Sequence, residues 1–223
     1  MKLTLPVLLV IIAGCSPKSI PYDNGPVMNQ KNITNTFKPI LEFMDYKPGM
    51  TVADVGAGSG ALTVMMTTLM SNSVVYIQDI DTTVLNQNNL NKIISYYSTQ
   101  VGEDLNKKNT LRTTIGGFAY TSLPDNAFDL IYSNATVHAF SEIDSMMIDM
   151  GRKLKSTGVL FLRDSFRNDH GEGEFCSDKK CGGRLLTIEE FLTIMKRNNF
   201  TLVKQSPDMK GYPLFGFSKE KPH

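Results

Sequence analysis

The sequence predicts an α/β fold, a single domain around a doubly wound, mainly parallel seven-stranded sheet. Three observations carry this. Apolar runs of strand length alternate with segments of helical periodicity along the chain, the pattern of a parallel sheet with crossover helices. A glycine turn, Gly56-Ala57-Gly58-Ser59-Gly60, joins the first apolar run to the helix after it. The 223 residues contain no internal repeat and no second composition, and that length suits one large domain.

The elements follow in order. Phe37, Ile40, Leu41 and Met44 recur at helical spacing, so a helix is expected over 34–45. Pro39 is then expected in its first turn, where a missing N–H is harmless. After Lys47-Pro48-Gly49, residues 51–55 read as a buried β-branched strand, and 61–70 as a helix. A second strand is expected at 74–78. Leu90, Ile93, Ile94 and Tyr97 mark the next helix face. Strands follow at 111–115, 128–132 and 159–162. Between the last two, Ile143, Met146, Met147, Met150 and Leu154 give another helix face, with the methionines as core filler. Thr187 and Glu190 form a capping box ahead of Ile188, Phe191, Leu192 and Met195. Short strands at 200–204 and 214–217 end the domain. Right-handed crossovers then place helices on both faces of the sheet.

Composition narrows the function. Hydrophobic residues are 41% and charged residues 20%, as in a chain with a real core. The 23 basic and 22 acidic side chains leave a net charge of +1, which argues against a nucleic-acid partner.

The N-terminus reads as a targeting segment. Lys2 precedes an apolar run from Leu3 to Ile12, then Ala13-Gly14-Cys15. The run is too short to span a bilayer, which needs about 20 apolar residues. Ile12-Ala13-Gly14-Cys15 resembles a bacterial lipoprotein lipobox. That resemblance implies a signal peptide at 1–14, cleavage before Cys15, lipidation of Cys15, and a domain anchored to the membrane in the cell envelope; an unused signal would leave it in the cytoplasm. Cleavage also removes Lys2 and brings the net charge to zero. Residues 15–31, with Pro17, Pro21 and Gly25-Pro26, read as a flexible tether. The domain is then expected at 32–223.

The glycine turn carries the chemistry. Glycines let the backbone turn tightly and approach a ligand, and the helix N-terminus behind them offers free N–H groups. Asp79 follows at the end of the second strand, at ribose-binding spacing. Gly56, Gly58 and Ala61 also satisfy a dinucleotide pattern. The run Lys47 to Gly60, with Asp54 in Val52-Ala53-Asp54-Val55-Gly56, closely resembles the first motif of class I S-adenosylmethionine-dependent methyltransferases. Val75-Tyr76-Ile77-Gln78-Asp79-Ile80-Asp81, Leu123 to Tyr132 and Leu154 to Leu160 resemble the family's later elements. The resemblance covers about residues 34–218 and is weak on substrate. It implies a Rossmann-like fold and S-adenosylmethionine as cofactor. The Gly56–Gly60 loop, with Gly56, Ala57, Gly58 and Gly60, would hold the methionine part, and Asp54 and Asn134 would be further cofactor-binding residues. Asp79 would take both ribose hydroxyls. Ile80, Gly117 and Phe118 would hold adenine. Many members carry an acid after the third strand, but residues 115–120 here contain none.

Methyl transfer asks the protein mainly to orient the acceptor. His138, after the fourth strand, is the candidate catalytic base, with packing against the next helix as its alternative role. Asn134, Asp164, Asp169 and His170 lie at neighbouring strand ends. His170, Cys176 and Cys181 invite a metal reading, but no second ligand pair stands at zinc-like spacing, and none is expected. With Cys15 lipidated, Cys176 and Cys181 are the thiols left in an oxidising compartment, so a local disulfide is expected. It would pin 171–183 as a substrate lid. The expected activity is methyl transfer to a small-molecule or lipid-like acceptor. Two alternatives stand. One is an inactive methyltransferase-fold binding module on the membrane, motivated by the missing acid and by a cofactor made in the cytoplasm. The other is a nicotinamide-dependent dehydrogenase, opposed by Asp54 and the lack of any Tyr-x-x-x-Lys pair.

Overall fold

The computed structural model describes residues 20–173, 176–209 and 212–220. The signal peptide and Cys15 lie outside them. The described chain runs α1 (Gln30–Phe43), β1 (Thr51–Val55), α2 (Ala61–Thr67), β2 (Val74–Asp79), α3 (Gln87–Val101), α4 (Leu105–Lys108), β3 (Thr110–Ile115), β4 (Phe128–Asn134), α5 (Ile143–Lys153), β5 (Leu154–Arg163), α6 (Asp178–Cys181), α7 (Ile188–Arg197), β6 (Phe200–Met209) and β7 (Tyr212–Lys219). A 3-10 turn, Val137–Ala139, follows β4.

The seven strands form one sheet in the order β3-β2-β1-β4-β5-β7-β6. Strands β1 to β5 pair in parallel, and β7 runs antiparallel to β5 and β6. The expected doubly wound, mainly parallel fold is what the chain adopts. The order reverses at β1, which puts the ligand crevice at the carboxyl ends of β1 and β4.

The apolar patterns become two cores. On one face, Ile33, Phe37 and Ile40 of α1 pack with Val64 and Met65 of α2, Leu90, Ile93 and Tyr97 of α3, and Val75 and Ile77 of β2. On the other, Met146, Met147 and Met150 of α5 and Phe191 and Met195 of α7 cover Ala53, Ile131, Leu160 and Phe215. The α7 capping box forms as expected: Glu190 N–H donates to Thr187 Oγ1 (3.1 Å), and Thr187 N–H donates to Glu190 Oε2 (2.9 Å).

Three expectations differ from the structure. Helix α1 begins four residues earlier, capped by the Asn29 side chain, which accepts from Asn32 N–H at 2.9 Å. Pro39 therefore sits inside the helix, not in its first turn. Strands β5, β6 and β7 are longer than their apolar runs: β5 begins at Leu154, which pairs with Phe128 of β4, and the β6–β7 ladder continues through polar residues such as Lys204, Gln205 and Ser206.

The third difference concerns the tether. Its described part, from Ile20 onward, packs on the domain before Asn32 is reached. Tyr22 is 2% exposed, and its hydroxyl lies 2.9 Å from that of Tyr97 in α3. Asp23 N–H donates to Asn89 Oδ1 (3.0 Å), and Asn89 Nδ2 donates back to Asp23 O (2.7 Å). Met28 N–H donates to Tyr97 (3.1 Å). A Cβ on Gly25 would stand 2.8 Å from Ala61 Cβ, so the strap passes directly over the start of α2. Polar backbone contacts of this kind leave no apolar period in the sequence.

Candidate functional site

The glycine turn is shaped by its neighbours. Gly56 N–H and Ala57 N–H both donate to Gln78 O at 2.9 Å. Gly56 has φ +76°, and a Cβ there would fall 2.2 Å from Thr136 Cγ2. A side chain is excluded by both backbone conformation and space. Thr136 Oγ1 donates towards Gly56 O (3.2 Å) and Asn134 O (3.0 Å), tying the turn after β4 to the glycine turn. Gly60 is the N-cap of α2.

Asp79 ends β2 and is oriented by backbone donors. Gly58 N–H reaches Oδ2 at 2.7 Å. Ile80 and Asp81 N–H reach Oδ1 at 2.8 and 3.0 Å. A carboxylate offers about four acceptor positions, so Oδ2 keeps the open one.

Two cavities meet at Gly56, which lines both. The larger, about 230 Å³, is bordered by Gln78, Asp79, Ile80, Gly117, Phe118 and Thr136 among others. Ile80 is 43% and Phe118 67% exposed, so two apolar side chains stand at its rim. The smaller, about 170 Å³, is bordered by Asp54, Ala57, Asn134 and Arg163, with Met28 of the strap and Phe37 of α1. The expected cofactor residues thus divide between the two, with Gly58 and Gly60 shaping the turn.

Asp54 is buried and accepts from Thr63 Oγ1 at 2.6 Å. Burial pushes its carboxyl up to about 6; the Thr63 bond opposes this and the charge of Asp79 adds to it. Across the same cavity, the Arg163 guanidinium lies 4.8 Å from the Tyr212 ring centroid. Arg163 Nη1 donates to Asn134 Oδ1 at 3.4 Å.

His138 and Asp164 form a pair. His138 Nδ1 lies 2.8 Å from Asp164 Oδ1, and His138 N–H donates to Asp164 Oδ2 at 2.9 Å. The carboxylate only accepts, so the proton sits on Nδ1 and Nε2 carries the lone pair. The bond to Asp164 raises the imidazole above its ordinary value, against the opposing effect of burial. His138 does not line either cavity, although Thr136, Ala139 and Phe140 beside it do. Asp169 and His170 are exposed. Cys176 is disulfide-bonded; the Cys181 side chain lies outside the described residues. No cluster of metal-ligating residues occurs among the described residues.

Sequence reasoning missed Gln78, Arg163, Thr136 and Met28 as cavity residues. The first three had a signal in hindsight, since all stand at the carboxyl ends of strands. Met28 had none, because only the packed strap brings it in.

The donor set fits S-adenosylmethionine. The larger cavity has a pre-oriented carboxylate for ribose hydroxyls between apolar side chains for a base. The smaller holds a carboxylate and a guanidinium, the charge pair that complements an amino-acid zwitterion.

Comparisons agree with this geometry. The family model of a methyltransferase domain matches residues 53–162. A sterol 24-C-methyltransferase of Aspergillus fumigatus is 30% identical over 135 residues, 58% of this chain and 33% of that enzyme. The chain spans a third or less of the curated relatives it matches. In fold, it resembles a SAM-dependent methyltransferase from Aquifex aeolicus, with TM-score 0.61 and 19% identity over 86% of this chain and 98% of that one. It also resembles geranyl diphosphate C-methyltransferase from Streptomyces coelicolor, solved with Mg2+, geranyl diphosphate and S-adenosyl-L-homocysteine. That likeness has TM-score 0.64 and 13% identity, over 85% of this chain and 80% of that one. Residues 53–162 thus match a methyltransferase domain, and the chain has the Rossmann-like fold of S-adenosylmethionine-dependent methyltransferases.

Proposed function

We propose that this protein transfers a methyl group from S-adenosylmethionine to a small-molecule or lipid-like acceptor at a membrane surface. The observation that carries the reading is the pair of cavities joined at Gly56. When bound, S-adenosylmethionine supplies an electrophilic methyl on a sulfonium. Asp79 Oδ2, fixed by Gly58, takes a ribose hydroxyl. Ile80 and Phe118 cover the base. Asp54 faces the ammonium and Arg163 the carboxylate of the amino-acid end. Gly60 and the turn before it let the backbone come close to the ligand. The His138–Asp164 pair serves as base where the acceptor must lose a proton: Nε2 takes it and Asp164 holds the imidazolium. The disulfide of Cys176 to Cys181 would fix the segment beside this pair.

The acceptor class and location rest on different support. The lipobox-like run ends at Cys15, and only four residues lie between it and Ile20, five residue steps that reach about 17 Å. The strap that follows lies over α2 at the cofactor edge, so a lipid on Cys15 holds the cavity mouths near the bilayer. The similarity to a sterol methyltransferase favours an apolar acceptor. A binding module without turnover is the second reading, favoured by the lack of any acid in residues 115–120.

The test is incubation of the purified chain with methyl-labelled cofactor and a membrane lipid extract. Label in the organic phase that disappears with Asp79→Ala is expected. Tight cofactor binding with no label in any fraction would replace the enzyme by the module.

A further inference from the structure

The larger cavity contains a polar group with no task in the description above. Gln78, the penultimate residue of β2, is 1% exposed. Its backbone O holds the glycine turn through Gly56 and Ala57. Its side-chain Oε1 takes a long bond from Gly56 N–H, 3.4 Å. Its Nε2 is buried and has no hydrogen-bond partner among the described residues. Buried amide groups are almost always paired, and an unpaired one destabilises the fold.

The surroundings say what would pair it. Gln78 borders the cavity beside Asp79, Ile80, Gly117 and Phe118. A Cβ on Gly116 would stand 2.5 Å from Nε2, so a glycine at that position is what leaves room for the amide. Turning the amide over would give up the Gly56 contact, so the cavity is offered a donor. Its ligand partner is therefore an acceptor. Hydroxyl hydrogens have Asp79 to go to. The flat apolar walls suit an aromatic base, whose ring nitrogens are acceptors.

We propose that Gln78 reads the purine of the cofactor, its amide N–H donating to a ring nitrogen of adenine. This rests on the nucleoside reading of the cavity. It also answers the missing acid: the base is held by a donor from β2 in place of an acceptor after β3. The role is one of specificity and affinity, since the amide stands at the base end of the ligand.

The test is calorimetric titration of the full chain and of Gln78→Met with S-adenosylhomocysteine and its 1-deaza, 3-deaza and 7-deaza analogues. Met keeps the length of the side chain and removes the donor. The wild type is expected to bind one deaza analogue about 3- to 10-fold more weakly than the parent, the range of one neutral hydrogen bond. Gln78→Met is expected to bind the parent weaker by the same factor and to lose that discrimination. Its ligand-free melting temperature is expected to be unchanged or raised, because an unpaired buried donor is gone. Parent affinity unchanged in Gln78→Met, or a wild type that treats all three analogues like the parent, would overturn the inference and leave the cofactor reading intact. A wild type that binds none of the four ligands would overturn both.

Discussion

At the scale of single residues, Asp54 makes the sharpest prediction. Its carboxyl titrates at about 6 in the folded chain against 3.8 ordinarily. The folded state therefore holds the extra proton between these values, and stability falls as pH rises through that window. The loss is about 3 kcal/mol, at 1.36 kcal/mol per unit. Asp54→Asn should flatten this part of a pH–stability curve measured by denaturant unfolding. Ligand binding should run the other way. On the proposed reading the ionised carboxylate would face an ammonium, so affinity for S-adenosylhomocysteine should rise by up to about fivefold from pH 5 to 6, and Asp54→Asn should remove the slope. For stability, His138 has the same sign as Asp54. Asp164 stabilises its imidazolium, so that contribution is present below the ordinary imidazole value of 6.5 and is lost as pH rises through the raised one. Asp164→Asn should therefore move the acid limb of the methyl-transfer rate to lower pH. A limb that stays in place would remove His138 from the reaction. Gly56→Ala tests the turn: with φ +76° and Thr136 Cγ2 2.2 Å from the new Cβ, it should abolish cofactor binding and lower the melting temperature.

At the scale of elements, the strands and the main helices were legible because apolar periodicity and burial are the same fact written twice. Residues 74–78 are an apolar run because β2 is covered on both faces. The glycine turn was legible because only glycine fits the space under Thr136. What escaped the sequence was held by polar contacts. The strap is fixed by Tyr22, Asp23 and Met28 against Asn89 and Tyr97, and its prolines and glycine read as a linker. Helix α1 extends past its apolar stripe because Asn29 caps it. Tyr22 is the element-scale test. Removing its buried ring should cost about 2–4 kcal/mol, a fall of several degrees in melting temperature. Tyr22→Ala should also weaken cofactor binding, because Met28 lines the amino-acid cavity and is positioned through Tyr97. A strap that served only as a linker would move neither quantity.

At the scale of the whole molecule, fold and cofactor site come from one arrangement: the strand order reverses at β1, and the glycine turn leaves that strand. The site was legible as a set of residues. Its division into two cavities was not, since Asp54 and Asp79 stand on neighbouring strand ends yet face different spaces. Arg163 was missed as a cavity residue because it is the last residue of a strand expected to end at 162. The envelope reading adds an address to this arrangement. Cys15→Ser should move the protein from the membrane fraction to the soluble one, and a chain already soluble with Cys15 intact would remove the anchor. The most direct test of the joined cavities is calorimetric titration of the purified chain with S-adenosylhomocysteine and, separately, NAD. Saturable binding of S-adenosylhomocysteine, strongly weakened by Asp79→Ala, with no binding of NAD, is the predicted result. Binding of NAD alone, or S-adenosylhomocysteine affinity indifferent to Asp79→Ala, would contradict it.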